Sequence, residues 1–146
     1  MLKGIPSILS PELLKALCEM GHGDELVIAD GNFPCHSVGK NSIVIRLDGH
    51  GTTEVLDAVL QVLPLDTYSE KPVALMEVVP GDTCPTPVIW KDYDEVLHRH
   101  EPDHCDIEMM ERFAFYERAK KSYLIIATGE TAIYANVLLK KGVVKA

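Results

Sequence analysis

The sequence predicts a single three-layer α/β/α domain over residues 1–146, with a parallel or mixed sheet at its centre. Short, continuously apolar segments alternate with helical segments along the whole chain, a pattern typical of α/β domains. A chain of 146 residues can bury one substantial core. We find no repeat, low-complexity tract or linker that would divide it.

The first helix and the first strand begin this alternation. Ser10 is a suitable N-cap, Pro11 suits the first helical position, and Glu12 complements the helix dipole. Gly21 is expected to end the helix as a C-cap. The apolar stripe of the helix consists of Leu13, Leu14, Leu17 and Met20. The apolar run at residues 26–29 then predicts a strand that is covered on both faces.

The remaining elements follow in the same alternation. Apolar runs rich in β-branched residues predict strands at 42–47, 73–79 and 123–127, with a final strand at 134–139. Thr52 or Thr53 is expected to cap the next helix, and Pro64 is expected to stop it. Two more helices are expected at 88–98 and 111–121, and irregular connections at 80–87 and 101–106.

Composition excludes several classes of partner. The formal net charge is −8 and there is no basic block, which argues against nucleic acid and anionic membranes because both bind positive surfaces. No apolar run is long enough to span a bilayer, and the first residues lack the apolar core of a secretory signal. The four cysteines include no Cys-x-x-Cys pair, which favours free thiols. We therefore expect a cytoplasmic protein.

A metal site is the first chemistry to consider. Imidazole and thiolate are zinc ligands, and four such residues fall close together: His98, His100, His104 and Cys105. Their spacing matches no standard zinc pattern, and they straddle the end of a predicted helix and a loop that contains proline. We therefore expect a solvated polar loop there, and no metal.

Other well-known chemistries lack their motifs. The chain has no Gly-Lys-Ser/Thr phosphate loop and no Gly-x-Ser-x-Gly nucleophile. Polar and aromatic residues instead lie at predicted strand ends and loops, where open α/β sheets bind ligands. Carboxylates and amides pair with neighbouring hydroxyls, and tyrosine adds a flat apolar face, so the set suits an uncharged polyol or sugar. Its members are His22, Asp30, Asp66, Arg112, Tyr116, Tyr134 and Asn136.

Each of these residues also has a purely structural interpretation as a cap, a turn or a core-edge residue. His22 lies between Gly21 and Gly23, just after the first predicted helix. It is either an ordinary loop residue behind a C-capping glycine or an uncrowded imidazole, the side chain best suited to proton transfer near neutral pH.

Blocks along nearly the whole chain resemble the L-fucose mutarotase family. They include the histidine segment itself, Met20-Gly21-His22-Gly23-Asp24-Glu25. The other matching blocks lie at residues 2–6, 10–14, 29–34, 46–49, 65–68, 112–119, 128–130, 134–136 and 138–142. D-ribose pyranase is the related branch of the same superfamily.

The resemblance implies a cofactor-free enzyme that interconverts the α- and β-anomers of L-fucose. It also implies an α/β domain assembled into a decamer of two pentameric rings, with the sugar near subunit contacts. On matching positions, His22 would transfer the proton. The sugar would be lined by Asp30, Asp66, Met76, Arg112, Tyr116, Tyr134 and Asn136. Ala135 departs from the family, in which many members have glycine there. If that glycine is needed for a positive φ or a close backbone approach, we expect Ala135 to shift the pocket slightly.

Two alternatives remain open from the sequence. The first is a D-ribose pyranase, which acts on D-ribose instead of L-fucose. The second is a non-catalytic, regulatory sugar-binding protein. A geometric question also arises, because an extended strand over residues 24–30 would separate His22 from Asp30 by about 20 Å. Either the His22 loop folds back along the sheet, or one of the two residues comes from a neighbouring subunit.

Overall fold

The computed structural model describes residues 1–146 and contains one six-stranded sheet and five helices. The helices are α1 (Pro11–Glu19), α2 (Cys35–Val38), α3 (Thr52–Leu60), α4 (Ile89–His100) and α5 (Arg112–Ala119). The strands are β1 (Glu25–Ala29), β2 (Ile43–Leu47), β3 (Val73–Met76), β4 (Ile107–Met110), β5 (Leu124–Thr128) and β6 (Val137–Lys140). None of the helices is long and apolar enough to cross a lipid bilayer.

The sheet is mixed, with strand order β2-β5-β1-β6-β3-β4. Five strands run in one direction, and β6 runs against them between β1 and β3. The register places Glu25 opposite Lys140 and Ile28 opposite Val137, so β6 starts beside the end of β1 and ends beside its start.

Helices cover both faces of the sheet. Leu26 and Ile28 of β1 join the larger core cluster with residues of α1, α3 and α4, whereas Val27 and Ala29 join the smaller cluster with residues of α2 and α5. Strands β1, β3 and β5 are buried almost throughout because side chains on both faces meet a helical layer. The predicted three-layer α/β/α class is therefore confirmed.

The first helix ends earlier than predicted, and Gly21 is not its C-cap. The helix stops at Glu19, and Met20 is the C-cap in an extended conformation. Of the two glycines beside His22, only Gly23 has a positive φ, of 86°. The backbone N–H of Gly21 donates to the carboxylate of Asp24 at 2.7 Å, which closes a tight turn around the histidine.

Other element boundaries differ from the predictions for identifiable reasons. Helix α3 is capped by Gly51, and Thr52 is its first residue. Strand β6 begins at Val137 instead of residue 134, because Tyr134 has a φ of 56° and cannot belong to a strand. Helix α2 and strand β4 were not predicted; one is a single turn, and the other is a half-exposed edge strand without a continuous apolar run.

Candidate active site

His22 is presented by the turn that precedes β1. The turn is joined to the end of β6, since the backbone N–H of Gly23 donates to the carbonyl of Lys141 at 2.9 Å. The imidazole side chain is about half exposed and lies beside the ring of Tyr68, at 5.3 Å between centroids. The histidine is therefore held at the amino end of the central strand.

Asp66 is the partner of His22. Its Oδ1 lies 3.0 Å from the imidazole Nε2, although the two residues are 44 positions apart in the chain. The Ser69 hydroxyl donates to Oδ2 at 2.8 Å, and the backbone N–H of Tyr68 donates to Oδ1 at 3.1 Å. The ammonium of Lys140 is 3.8 Å away. A carboxylate that is 2% exposed is thus surrounded by donors.

These donors determine the charge of Asp66 and the tautomer of His22. Burial opposes ionisation, but the hydrogen bonds from Ser69 and His22 outweigh it and lower the pKa of Asp66 to about 2. A carboxylate that is ionised at neutral pH accepts hydrogen bonds only, so Nε2 must carry the proton of a neutral His22 ring. The other nitrogen, Nδ1, makes no hydrogen bond within the chain.

A second group of residues surrounds a cavity of about 240 Å³ at the opposite end of the strands, where β1 and β3 finish. Asp30 follows β1, Met76 ends β3, Arg112 begins α5, and Tyr134 and Asn136 precede the antiparallel β6. The direction of each strand therefore brings residues that are distant in sequence to the same end of the sheet, where β1 and β3 finish. The cavity lining includes six of the residues named from the sequence, Asp30, Met76, Arg112, Tyr116, Tyr134 and Asn136.

Asp30 and Asn136 form a reciprocal pair in this cavity. The backbone N–H of Asp30 donates to the Asn136 amide oxygen at 2.9 Å, and the Asn136 Nδ2 donates to Asp30 Oδ2 at 3.2 Å. Backbone N–H groups of Asn32 and Ala135 also donate to the carboxylate, at 3.0 and 3.3 Å. Burial raises the pKa of Asp30, and these hydrogen bonds oppose the rise.

Aromatic and cationic side chains form further parts of the wall. The Arg112 guanidinium lies 5.5 Å from the centre of the Tyr116 ring, and its Nε donates to the Tyr116 hydroxyl at 3.4 Å. The ring of Phe33 lies 5.5 Å from that of Tyr116. An exposed cation next to aromatic rings that are tilted against each other suits a ligand with hydroxyl groups on one side and an apolar face on the other.

One chain does not bring all of the named residues together. His22 and Asp66 lie at the amino end of β1, and the other six lie around the cavity beyond its carboxyl end. The neighbour of His22 is Asp66, not Asp30. Strand β1 separates the two groups, because an extended backbone rises about 3.3 Å per residue and does not fold back on itself.

Sequence reasoning missed five residues of the cavity lining. They are Asn32, Phe33, Val79, Asp82 and Ile133. Asn32 and Phe33 belong to the turn after Asp30, so proximity in sequence could have indicated them. Val79 was predicted to end the strand at 73–79, but β3 stops at Met76 and leaves Val79 on the connection that follows. Asp82 lies on the same connection and carried no pattern that distinguished it from solvent-exposed loop residues.

The histidine and cysteine cluster considered for zinc does not converge. His98 bonds the backbone carbonyl of Asp94 at 2.8 Å, and His100 bonds the carboxylate of Asp57 at 2.8 Å. No group of three histidine, cysteine or acidic side chains is arranged to hold a metal ion. These two histidines instead form hydrogen bonds on the surface of α4.

The sequence over residues 3–144 matches the RbsD / FucU transport protein family. The chain belongs to this family. A family relative, the human fucose mutarotase, is 53% identical over 97% of this chain and 94% of its own length. The L-fucose mutarotase of Actinobacillus pleuropneumoniae is 48% identical over 98% of this chain and 97% of its own length.

Solved structures of RbsD / FucU proteins agree with this assignment. FucU from Bifidobacterium longum is 62% identical and has a TM-score of 0.94, covering 98% of this chain and 100% of its own. The fucose mutarotase of Streptococcus pneumoniae, solved in complex with L-fucose, is 49% identical with a TM-score of 0.92, covering 99% and 100%. RbsD of Bacillus subtilis, solved with D-ribose, has a TM-score of 0.73 at 23% identity, which shows a common fold only.

Proposed function

We propose that this chain is an L-fucose mutarotase, an isomerase that interconverts the α- and β-anomers of L-fucose. The observation that carries the proposal is the similarity, over 99% of the chain, to a fucose mutarotase solved in complex with L-fucose. The cavity at the carboxyl ends of β1 and β3 supports it, since its carboxylate, amide and aromatic groups are suited to binding a monosaccharide.

The reaction is a transfer of protons within one sugar. The anomeric hydroxyl loses its proton, the bond between C1 and the ring oxygen breaks, and the ring oxygen gains a proton. Rotation about the C1–C2 bond then presents the other face of the aldehyde, and the reverse steps close the ring. No net redox change occurs and no group leaves, so we propose that the enzyme uses no cofactor.

His22 is the proposed proton-transfer residue. Asp66 holds its Nε2–H, which leaves Nδ1 to deliver a proton to the ring oxygen and to take it back on closure. An imidazole suits both directions because its two protonation states are close in free energy near neutral pH. General acid–base assistance of this kind is typically worth about 10²- to 10⁴-fold in rate.

The residues of the cavity are proposed to bind the sugar. Asp30 would accept a hydrogen bond from a sugar hydroxyl, and the donors of Asn32, Ala135 and Asn136 hold its carboxylate in place. Arg112 would stabilise negative charge that develops on the anomeric oxygen. Tyr116 and Tyr134 would cover the apolar face and the methyl group, and Met76 and Asn136 complete the wall.

Two copies of the chain are needed to bring these groups together. His22 and Asp30 lie at opposite ends of β1. The surface of one copy that carries His22 would therefore meet the surface of the next copy that carries the cavity. A contact between two different surfaces is heterologous, and such contacts close into rings when the rotation allows. Exposed apolar side chains lie on both surfaces. Tyr68 lies beside His22, and Phe113 and Ile133 lie near the cavity.

The complete proposal is therefore a cytoplasmic homo-oligomer, a decamer of two pentameric rings, with the sugar bound where neighbouring chains meet. Light scattering tests the assembly, and a monomer in solution would contradict it. Fractionation of the source cells tests the location.

NMR magnetisation transfer between the anomers of L-fucose tests the activity directly. We expect exchange well above the buffer rate with the wild type, and a loss of about 10²-fold or more with His22→Ala. His98→Ala is a matched control, because this exposed histidine lies on α4 and should leave the rate unchanged. D-ribose in a parallel sample distinguishes the pyranase, and binding without exchange would identify a non-catalytic sugar-binding protein.

A further inference from the structure

Tyr134 has a backbone conformation that few residues adopt. Its φ is 56°, and it is the one non-glycine residue of the chain with a positive φ. The left-handed region is unfavourable for a residue with a Cβ atom, so neighbouring groups must hold Tyr134 in it. The cavity depends on this residue, because its ring forms part of the wall.

Helix α4 supplies the groups that hold this segment. The indole Nε1–H of Trp90 donates to the carbonyl of Tyr134 at 2.8 Å, and the Tyr93 hydroxyl donates to the next carbonyl, that of Ala135, at 2.7 Å. Tyr93 is fully buried and is also hydrogen-bonded to Thr52 at the start of α3. Two donors on one helix thus fix two consecutive carbonyls.

The opposite end of Tyr134 is held by the connection after β3. Its hydroxyl donates to Oδ2 of Asp82 at 2.5 Å and accepts the backbone N–H of Val79 at 3.3 Å. The carbonyl and the hydroxyl are therefore both fixed, and the ring between them has one orientation toward the cavity.

We propose that Trp90 is a positioning residue of the sugar site. Its indole N–H, through the carbonyl of Tyr134, maintains the backbone conformation from which the Tyr134 ring faces the sugar. Trp90 lies outside the cavity lining, so it acts on the ligand only through this bond. The inference rests on the proposed function, because it assigns Trp90 a part in L-fucose binding.

The test begins with Trp90→Phe, which keeps an aromatic ring and removes the N–H donor. One hydrogen bond to a partly buried group corresponds to a change of about 2- to 10-fold, so we expect the KM for L-fucose to rise by that factor. The kcat should stay within about twofold, because the wall contacts the bound sugar and the transition state alike. Lys91→Ala, an exposed neighbour on α4, is the matched control and should change neither.

A double-mutant cycle shows whether the effect passes through Tyr134. In a Tyr134→Ala background, Trp90→Phe should raise the KM no further, because the ring that Trp90 positions is gone. An unchanged KM in Trp90→Phe, or an equal rise in both backgrounds, would overturn the inference. Thermal unfolding of each variant identifies any that fails to fold.

Tryptophan fluorescence gives a second readout that does not depend on turnover. Trp90 is the only tryptophan of the chain, so the emission of the whole protein reports on its surroundings. We expect Tyr134→Ala to shift the emission without sugar, and Ile133→Ala, at the exposed neighbouring position, to leave it unchanged. Alanine keeps the carbonyl that accepts the indole N–H, so unchanged emission in Tyr134→Ala would overturn the inferred coupling between Trp90 and the Tyr134 side chain. If the wild type failed to exchange L-fucose while Tyr134→Ala still shifted the emission, the proposed function would be refuted and the coupling between Trp90 and Tyr134 would not.

Discussion

The imidazole Nε2 of His22 lies 3.0 Å from a carboxylate oxygen of Asp66, which is almost completely buried. Burial and three hydrogen bonds fix the carboxylate, and the carboxylate in turn fixes the ring. This pair defines which nitrogen of His22 is free, and it places Asp66 behind the histidine instead of in the cavity with Asp30.

Replacing Asp66 by asparagine tests its role behind the histidine. The introduced amide would be free to donate to Nε2 and favour the wrong tautomer, so we expect anomer exchange to fall by about tenfold or more. The loss should remain smaller than that of His22→Ala. Asp57→Asn is the matched control, because Asp57 also bonds a histidine, His100, at 2.8 Å, but on the α3–α4 surface. Equal losses in both variants would argue for a general effect of removing a His–Asp pair.

The low pKa of Asp66 predicts how stability depends on pH. The folded-state pKa is about 2, below the ordinary value of 3.8, so ionised Asp66 stabilises the fold above the ordinary pKa. This contribution, about 2 kcal/mol, is lost as the pH falls through about 4 toward 2. Denaturant unfolding at fixed protein concentration should show a gap between wild type and Asp66→Asn that is full near pH 6 and shrinks in acid. A gap that is independent of pH would contradict the prediction.

A mixture of two inactive variants tests whether the site is shared between chains. His22→Ala removes the proton-transfer group, and Asp30→Asn removes the carboxylate of the cavity. If each site takes His22 from one chain and Asp30 from its neighbour, random mixing at equal amounts restores about one quarter of the sites. Co-refolded variants should therefore regain exchange activity that neither shows alone. Absence of any recovery in assembled mixtures would assign both residues to one chain's site.

Ala135 needs no glycine-like freedom in this structure. Positive φ occurs at Tyr134, one position earlier, and the Ala135 side chain is fully buried in the larger core cluster. We expect Ala135→Gly to lower the free energy of unfolding by about 1 kcal/mol, through a lost buried methyl group and added backbone freedom. Anomer exchange should stay within about threefold of the wild type. A large gain in activity would show instead that the alanine distorts the cavity.

Local patterns predicted most of the fold. Strands β1 and β5 are continuous runs of apolar residues because both of their faces are covered, and Ser10 caps α1 as expected, with Leu13 N–H donating to its hydroxyl. Edge strand β4 escaped prediction because its residues are half exposed and include Glu108. Helix-like or strand-like spacing is a signal only where one side of the element is buried.

The site was predictable as a set of residues but not as an arrangement. His22 and Asp30 could be named from their loops, and the extended strand between them indicated their separation. The contact between His22 and Asp66 joins segments that are 44 positions apart, and no short-range pattern encodes such a pairing. The position of Asn136 depends likewise on the direction of β6, which an apolar run does not specify.

The antiparallel direction of β6 determines which of the named residues lie at which end of the strands. If β6 were parallel to its neighbours, Tyr134 and Asn136, which precede it, would lie at the end of the sheet that carries His22. Because β6 is antiparallel, Tyr134 and Asn136 lie where β1 and β3 end, and Lys140 lies near Asp66 at the other end. The direction of the four-residue strand β6 therefore determines that Tyr134 lies at the cavity and that, under the proposed function, His22 must come from a neighbouring chain.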